Sequence, residues 1–159
     1  MKAEPAERLD PRAITLWRIT GLLNLLPLLL GAGFGGWALI RFGNVSSLVA
    51  ILPVLAVLVL GVAVVGVAPG LRWRRWRYEI RPDEIDLQRG ILWVGRTLVP
   101  LARIQHVDTR QGPLQRRFGL STVVFYTAAG PNQIPELSTP VAAEVRDRIA
   151  VLTGEQDEL

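Results

Sequence analysis

Two long stretches of this chain carry no charge, and that constrains the fold more than any other feature. Ile19 to Ile40 contains no Asp, Glu, Lys or Arg, and the 30 residues between Arg41 and Arg72 contain none either. As a helix the first stretch is about 33 Å long at about 1.5 Å per residue, close to the thickness of a hydrocarbon core of about 30 Å. A lone segment of that length satisfies its backbone inside lipid only as a helix. The alternative, two buried core helices, is a poor fit: too little chain remains in 159 residues to cover them. A cleaved signal peptide fits no better. Gly31-Ala32-Gly33 suits cleavage, but the apolar run continues through Phe34 and Trp37 to Ile40.

The sequence therefore predicts a membrane hairpin. A cytoplasmic N-terminal tail covers 1–18 and a transmembrane helix 19–40. A turn outside the cytoplasm follows at 41–47, then a second transmembrane helix at 48–68, stopped by Pro69-Gly70. Orientation follows from the cations. The tail carries Lys2, Arg8, Arg12 and Arg18, the basic juxtamembrane segment 69–77 carries Arg72, Arg74, Arg75 and Arg77, and the turn has only Arg41. Both termini are thus expected in the cytoplasm. Trp17, Trp73 and Trp76 fall near the inner interface and Trp37 near the outer one, as interfacial aromatics do.

The same bookkeeping explains a net charge of +4. Residues 78–159 hold nine Arg against eleven Asp and Glu, so the positive excess is juxtamembrane. That pattern suits anionic-lipid contact and argues against a nucleic-acid partner, which would want a basic stripe on the folded part. The absence of Cys excludes disulfides and thiolate metal sites. Within the first span, Gly31 and Gly35 form a small-xxx-small pair, the expected helix-packing positions, either within the hairpin or between molecules. Neither span holds an ionisable side chain to carry protons or ions.

After the hairpin the pattern changes to short segments of period two. Strands are expected at Trp76–Ile80, around Ile85–Leu87, at Ile91–Val99 with Gly95 as a bulge, at Ile104–Gln111, at Ser121–Thr127 and, at an edge, Gln133–Leu137. Leu114–Phe118 reads as a short helical connector. Thr139-Pro140 then opens an amphipathic helix with Val141, Ala142, Val145, Ile149 and Leu152 on one face, ended by Gly154. The expected fold is a transmembrane hairpin followed by a small α+β domain over 78–153 and a tail at 154–159.

Several blocks in order, Arg77-Tyr78-Glu79-Ile80, Gln88-Arg89-Gly90-Ile91, Val99 to Asp108 and Gln111 to Leu120, resemble the YdbS-like bacterial pleckstrin-homology (PH) membrane protein family. So does Ser121 to Gly130. The resemblance covers about residues 70–152 and implies a PH-like sheet closed by a C-terminal helix, in the inner membrane of a bacterium. It also implies a protein partner, since members often accompany a larger protein with several such domains.

No hydrolase elbow, phosphate-binding loop or metalloprotease motif is present, and no catalytic, cofactor-binding or metal-binding residue is expected. His106, the only His, shares a strand face with Asp108 and is expected to be structural. Asp83, Glu84 and Asp86 read as a solvated hairpin end. The residues expected to meet lipid or a partner are Arg72, Arg74, Arg75 and Arg77 beside the membrane and Arg110, Arg116 and Arg117 on the domain, supported by Arg103 and Gln105. The first hairpin turn, Arg81-Pro82-Asp83-Glu84, matches one Arg with two acids and does not suit phosphoinositide headgroups. The expectation is a non-catalytic adaptor or scaffold subunit of a bacterial membrane complex. An anionic-lipid sensor and an accessory subunit of a transporter or envelope enzyme are the alternatives.

Overall fold

A computed structural model describes residues 4–43 and 45–157, with side chains described to Gly154; Asn44 of the expected turn and the end of the tail lie outside these residues. The chain divides into a membrane unit, 17–70, and a folded unit made of 1–16 together with 71–159.

The membrane unit is helical. Helix α1 spans Arg12–Phe42, a short α2 spans Ser47–Ala50, and α3 spans Leu52–Arg75. In each apolar helix only 6 % of the most apolar window is buried, so these side chains face outward and are not a protein core. Both helices outrun the expected spans. Pro69 lies inside α3 and does not stop it. Proline removes the bond to the carbonyl four residues back without forbidding a helix on either side of it. Three residues before Pro69, the carbonyl of Gly66 accepts a hydrogen bond from Arg18 Nη2 at 3.1 Å.

The two helices meet at glycines other than the pair singled out from spacing. Between α1 and α3, a methyl group at Gly21 would stand 2.9 Å from a Val65 methyl and one at Gly61 would overlap the Leu25 side chain, while one at Gly36 would stand 2.7 Å from the Ala50 carbonyl oxygen of the short α2. Gly31 and Gly35 have open space around them. Spacing alone marks which residues share a face, not which face turns inward, so packing within the hairpin belongs to Gly21, Gly36 and Gly61.

The folded unit holds two antiparallel sheets. The first is ordered β1 (Glu7–Arg8), β2 (Arg77–Ile80), β3 (Glu84–Arg89), β4 (Gly95–Pro100). The second is β5 (Ile104–Arg110), β6 (Leu120–Thr127), β7 (Gly130–Ser138). Helix α4 (Pro113–Phe118) joins β5 to β6, and α5 (Thr139–Asp157) closes the unit with Ala142, Val145 and Ile149 buried. Tyr78, Ile85 and Leu87 from the first sheet and Val123, Phe125 and Ile134 from the second fill the core.

The expected free tail is instead part of this domain. Glu7 pairs with Tyr78 and Arg8 with Arg77, while Leu9, Ala13 and Leu16 are buried. The first sheet is thus completed by chain that precedes the hairpin, and the connection between its first two strands is the hairpin itself. The Arg81–Glu84 turn, expected to be the first, is the second. Three smaller corrections follow. Ile91–Val94 is a turn, with β4 starting only at Gly95. Strand β7 is nine residues long because a bulge absorbs Pro135 and Glu136. Helix α5 passes Gly154 to Asp157.

Candidate functional site

The first connection of the second sheet, between β5 and β6, collects the polar residues. Pro113 at the start of α4 is preorganised for a first helical turn, and Gln115 turns back to accept the Gly112 N–H at 2.9 Å. Gly119 ends the helix at φ 64°, a conformation that suits glycine. The Gln115 amide then donates to Thr122 Oγ1 at 2.8 Å and to Glu136 Oε2 at 3.0 Å. Glu136 is buried at φ 51°, in the left-handed region where a non-glycine residue is strained. The bulge in β7 puts it there.

Both ends of the hairpin converge on this junction. Asp10 caps the start of α1: its Oδ1 accepts the N–H of Arg12, the first helical residue, at 2.9 Å. The Arg12 guanidinium, bonded to the same carboxylate, holds the Asp10 pKa below its ordinary value against the opposing effect of burial. Asp10 donates its own N–H to the Glu136 carbonyl at 3.1 Å, and Arg12 Nη1 donates to the Phe118 carbonyl at 2.9 Å. From the last turn of α3, Trp73 Nε1 donates to the Leu9 carbonyl at 2.9 Å, and Arg72 stands in the field of Glu136.

The expected basic residues lie on several elements. Arg72, Arg74 and Arg75 are exposed in the last turn of α3, and Arg77 lies on β2 with its Nε 3.8 Å from Glu4 Oε2. Arg110 is bonded to the Tyr126 hydroxyl and stacked over that ring at 5.7 Å. Arg116 and Arg117, in the last turn of α4, are exposed and make no side-chain ion pair among the described residues. Arg103 and Gln105 are exposed beside the start of β5.

His106 stacks on Tyr126 with ring centres 4.2 Å apart, and its Nε2 is 3.9 Å from Asp108 Oδ2. His106, Asp108 and Arg110 alternate along β5, so they share one face, with Tyr126 lying along it. Among the described residues β5 pairs only with β6, and its other edge carries no strand, while α5 packs beside its first half. Seven residues long, with Gln105, His106, Asp108, Thr109 and Arg110 exposed, it offers an unpaired row of backbone groups.

The acidic group assigned to a solvated hairpin end is partly the reverse. Asp86 is completely buried on β3, directly opposite Glu79. Two like charges in that position repel, and two arginines neutralise them. Arg96 forks onto the Asp86 carboxylate, and Arg81 reaches Glu79 at 2.7 Å, Glu84 at 3.2 Å and Asp86 at 3.5 Å. Bonding to Glu79 raises the Arg81 pKa, and bonding to Asp86 raises that of Arg96. The cluster satisfies itself. Period-two alternation points Asp86 away from Ile85 and Leu87, and nothing in that pattern reveals that arginine stems cover it.

The comparisons agree with this architecture. The sequence profile described as "Bacterial PH domain" matches residues 24–153. The UPF0699 transmembrane protein YdbS of Bacillus subtilis (strain 168) is 33 % identical over 166 aligned positions, covering 99 % of both chains. The UPF0699 transmembrane protein YdbT of the same organism is 28 % identical over 79 residues, half of this chain and 16 % of that protein. No solved structure matches. A hairpin of two outward-facing apolar helices, inserted after the first strand of a two-sheet domain with a closing helix, makes this chain a transmembrane member of the bacterial PH domain family.

Proposed function

We propose that this protein is a non-catalytic adaptor of the bacterial inner membrane, with both termini in the cytoplasm, whose PH-like domain takes a strand of another protein along β5. The open, seven-residue edge of β5 carries the reading, because main-chain bonding along such an edge supplies affinity while exposed side chains select the partner. The pairing of β1 with β2 supports the topology. Residues 8 and 77 bracket the whole hairpin and lie opposite each other, as an even number of crossings would place them. The excess of Lys and Arg on that side favours the cytoplasm.

A larger protein carrying several PH-like domains suits as the partner. Half of this chain matches one segment of the much longer YdbT, so related domains do occur within larger membrane proteins. Membrane lipids are the second partner, met by the arginines at the end of α3. Exposed Arg116 and Arg117 favour an anionic-lipid-sensing role as the rival reading.

Photo-crosslinking in native membranes tests the proposal. A photoreactive residue at Gln105 or Thr109 is expected to capture one protein in stoichiometric yield, and the same residue at Asp147 on α5 is not. Capture of lipid alone at β5, or equal capture at all three positions, overturns it. A captured enzyme whose turnover falls without this chain would move the reading to an accessory subunit.

A further inference from the structure

The most exposed apolar residues of the folded unit sit together at one hairpin tip. Between Arg89 and Arg96 the chain runs Gly90-Ile91-Leu92-Trp93-Val94-Gly95, six residues without a charge. Leu92 is 79 % exposed and Trp93 85 %. The tip is built rather than loose. Arg89 pairs with Gly95 at its base, and Gly90 turns the chain at φ 139°. Any side chain at Gly90 would collide with the Trp93 carbonyl oxygen, so the turn closes only around glycine.

We propose that this tip inserts into the interfacial layer of an anionic bilayer, with Leu92 and Trp93 among the upper acyl carbons and Arg89 at the headgroups. Three observations choose lipid over other occupants. The chain is itself anchored in a bilayer by α1 and α3, so a lipid surface is always at high effective concentration. The tip combines a tryptophan, which favours the membrane–water interface, with purely aliphatic neighbours. Arg89 is exposed at the base of the tip and has no ion pair among the described residues, leaving its charge for an anionic headgroup. Arg96, on the opposite strand, is held by Asp86 and anchors the hairpin. A rigid tip loses little conformational entropy on insertion, which favours binding by a short apolar segment. This contact is separate from the open edge of β5, and the two are tested by different labels.

The chain contains no cysteine, so Leu92→Cys and Gln133→Cys each give a single labelling site. Each full-length variant, carrying an environment-sensitive thiol fluorophore, is reconstituted in liposomes of phosphatidylethanolamine and phosphatidylglycerol. The label at 92 is expected to be quenched by nitroxide-bearing lipids and shielded from aqueous iodide, with the label at 133 behaving oppositely. Adding Arg89→Glu, a surface change, or Trp93→Asp is expected to return the 92 label to iodide. For the arginine, the loss in apparent association is about fivefold per charge. Iodide access at 92 equal to that at 133 overturns the proposal. So does shielding from iodide without lipid quenching, which would mean that a second copy or another protein covers the tip.

Discussion

The main-chain N–H of Asp10 donates to the carbonyl of Glu136 at 3.1 Å, joining the residue that caps the first membrane helix to the strained bulge of the last strand. Sixty-odd residues of membrane hairpin separate β1 from β2 in the first sheet, and this bond ties the chain just after β1 to β7 of the second sheet. The domain is therefore discontinuous in sequence, and its stability depends on chain from both sides of the hairpin.

A fragment of residues 78–159 lacks β1, the Leu9 and Ala13 side chains and the Asp10–Glu136 bond. It is expected to unfold without a sharp transition. A fragment in which residues 1–16 are joined by a flexible linker to 71–159 should unfold cooperatively, as followed by circular dichroism during a urea titration. Each buried apolar side chain restored is worth roughly 1.5–3 kcal/mol. Equal cooperativity in the two fragments would remove the N-terminal segment from the core.

Asp86 has no exposure and is held by two guanidinium groups, so Asp86→Ala leaves Arg96 and Arg81 facing only Glu79 and Glu84. Breaking a buried pair from one side costs on the order of 3 kcal/mol. Replacing Asp86 with Leu and Arg96 with Met together should recover much of that loss, because an apolar pair leaves no unmatched charge. Thermal unfolding of the full chain in detergent measures both, and a double variant no better than the single one would contradict this account.

Tyr78 is buried, and its phenol also bonds Glu7, so burial first and that bond second push its pKa above the ordinary value near 10. The unfolded chain loses this proton at lower pH than the folded one. Stability is thus undiminished below about pH 10 and falls as pH rises above it. Tyr78→Phe should flatten that alkaline decline, at the cost of the bond to Glu7. Unfolding midpoints compared at pH 8 and above pH 10 would show it; parallel declines in both proteins would exclude Tyr78 as the source.

How much of this was legible in the sequence depends on the range of the interaction. Strands β5 and β6, the short α4 and most of the apolar face of α5 are local patterns found where their residues suggested, and the two apolar helices exist as expected but with other bounds. Strand β1 is two residues long, too short to carry a period, and its partner lies some seventy residues away. Burial of Asp86 depends on a diagonal neighbour, Arg96, supplied by the register of β3 with β4. The Arg116–Arg117 pair was visible as a basic run, but the bond of Arg110 to Tyr126 was not, because Tyr126 comes from another strand. Gly31 and Gly35 show the same limit in the membrane unit, where spacing identifies a stripe and only the partner helix decides which stripe is used.

That stripe gives the last test. Gly61 faces the Leu25 side chain and Gly36 approaches the Ala50 carbonyl of α2, so Gly61→Ile forces α1 and α3 apart and Gly36→Val forces α1 away from α2. Overpacking of this kind costs about 1–3 kcal/mol. Gly31→Ile and Gly35→Ile meet open space within the chain and should leave hairpin stability unchanged. Steric trapping or thermal unfolding in detergent reads the stability difference. Cross-linking in liposomes reads self-association, where small residues let helices of separate molecules approach. Unchanged stability together with lost cross-linking at 31 and 35 would assign that pair to contacts between molecules. A loss of stability at Gly31 or Gly35 as large as at Gly61 would mean that the hairpin packs on the other face.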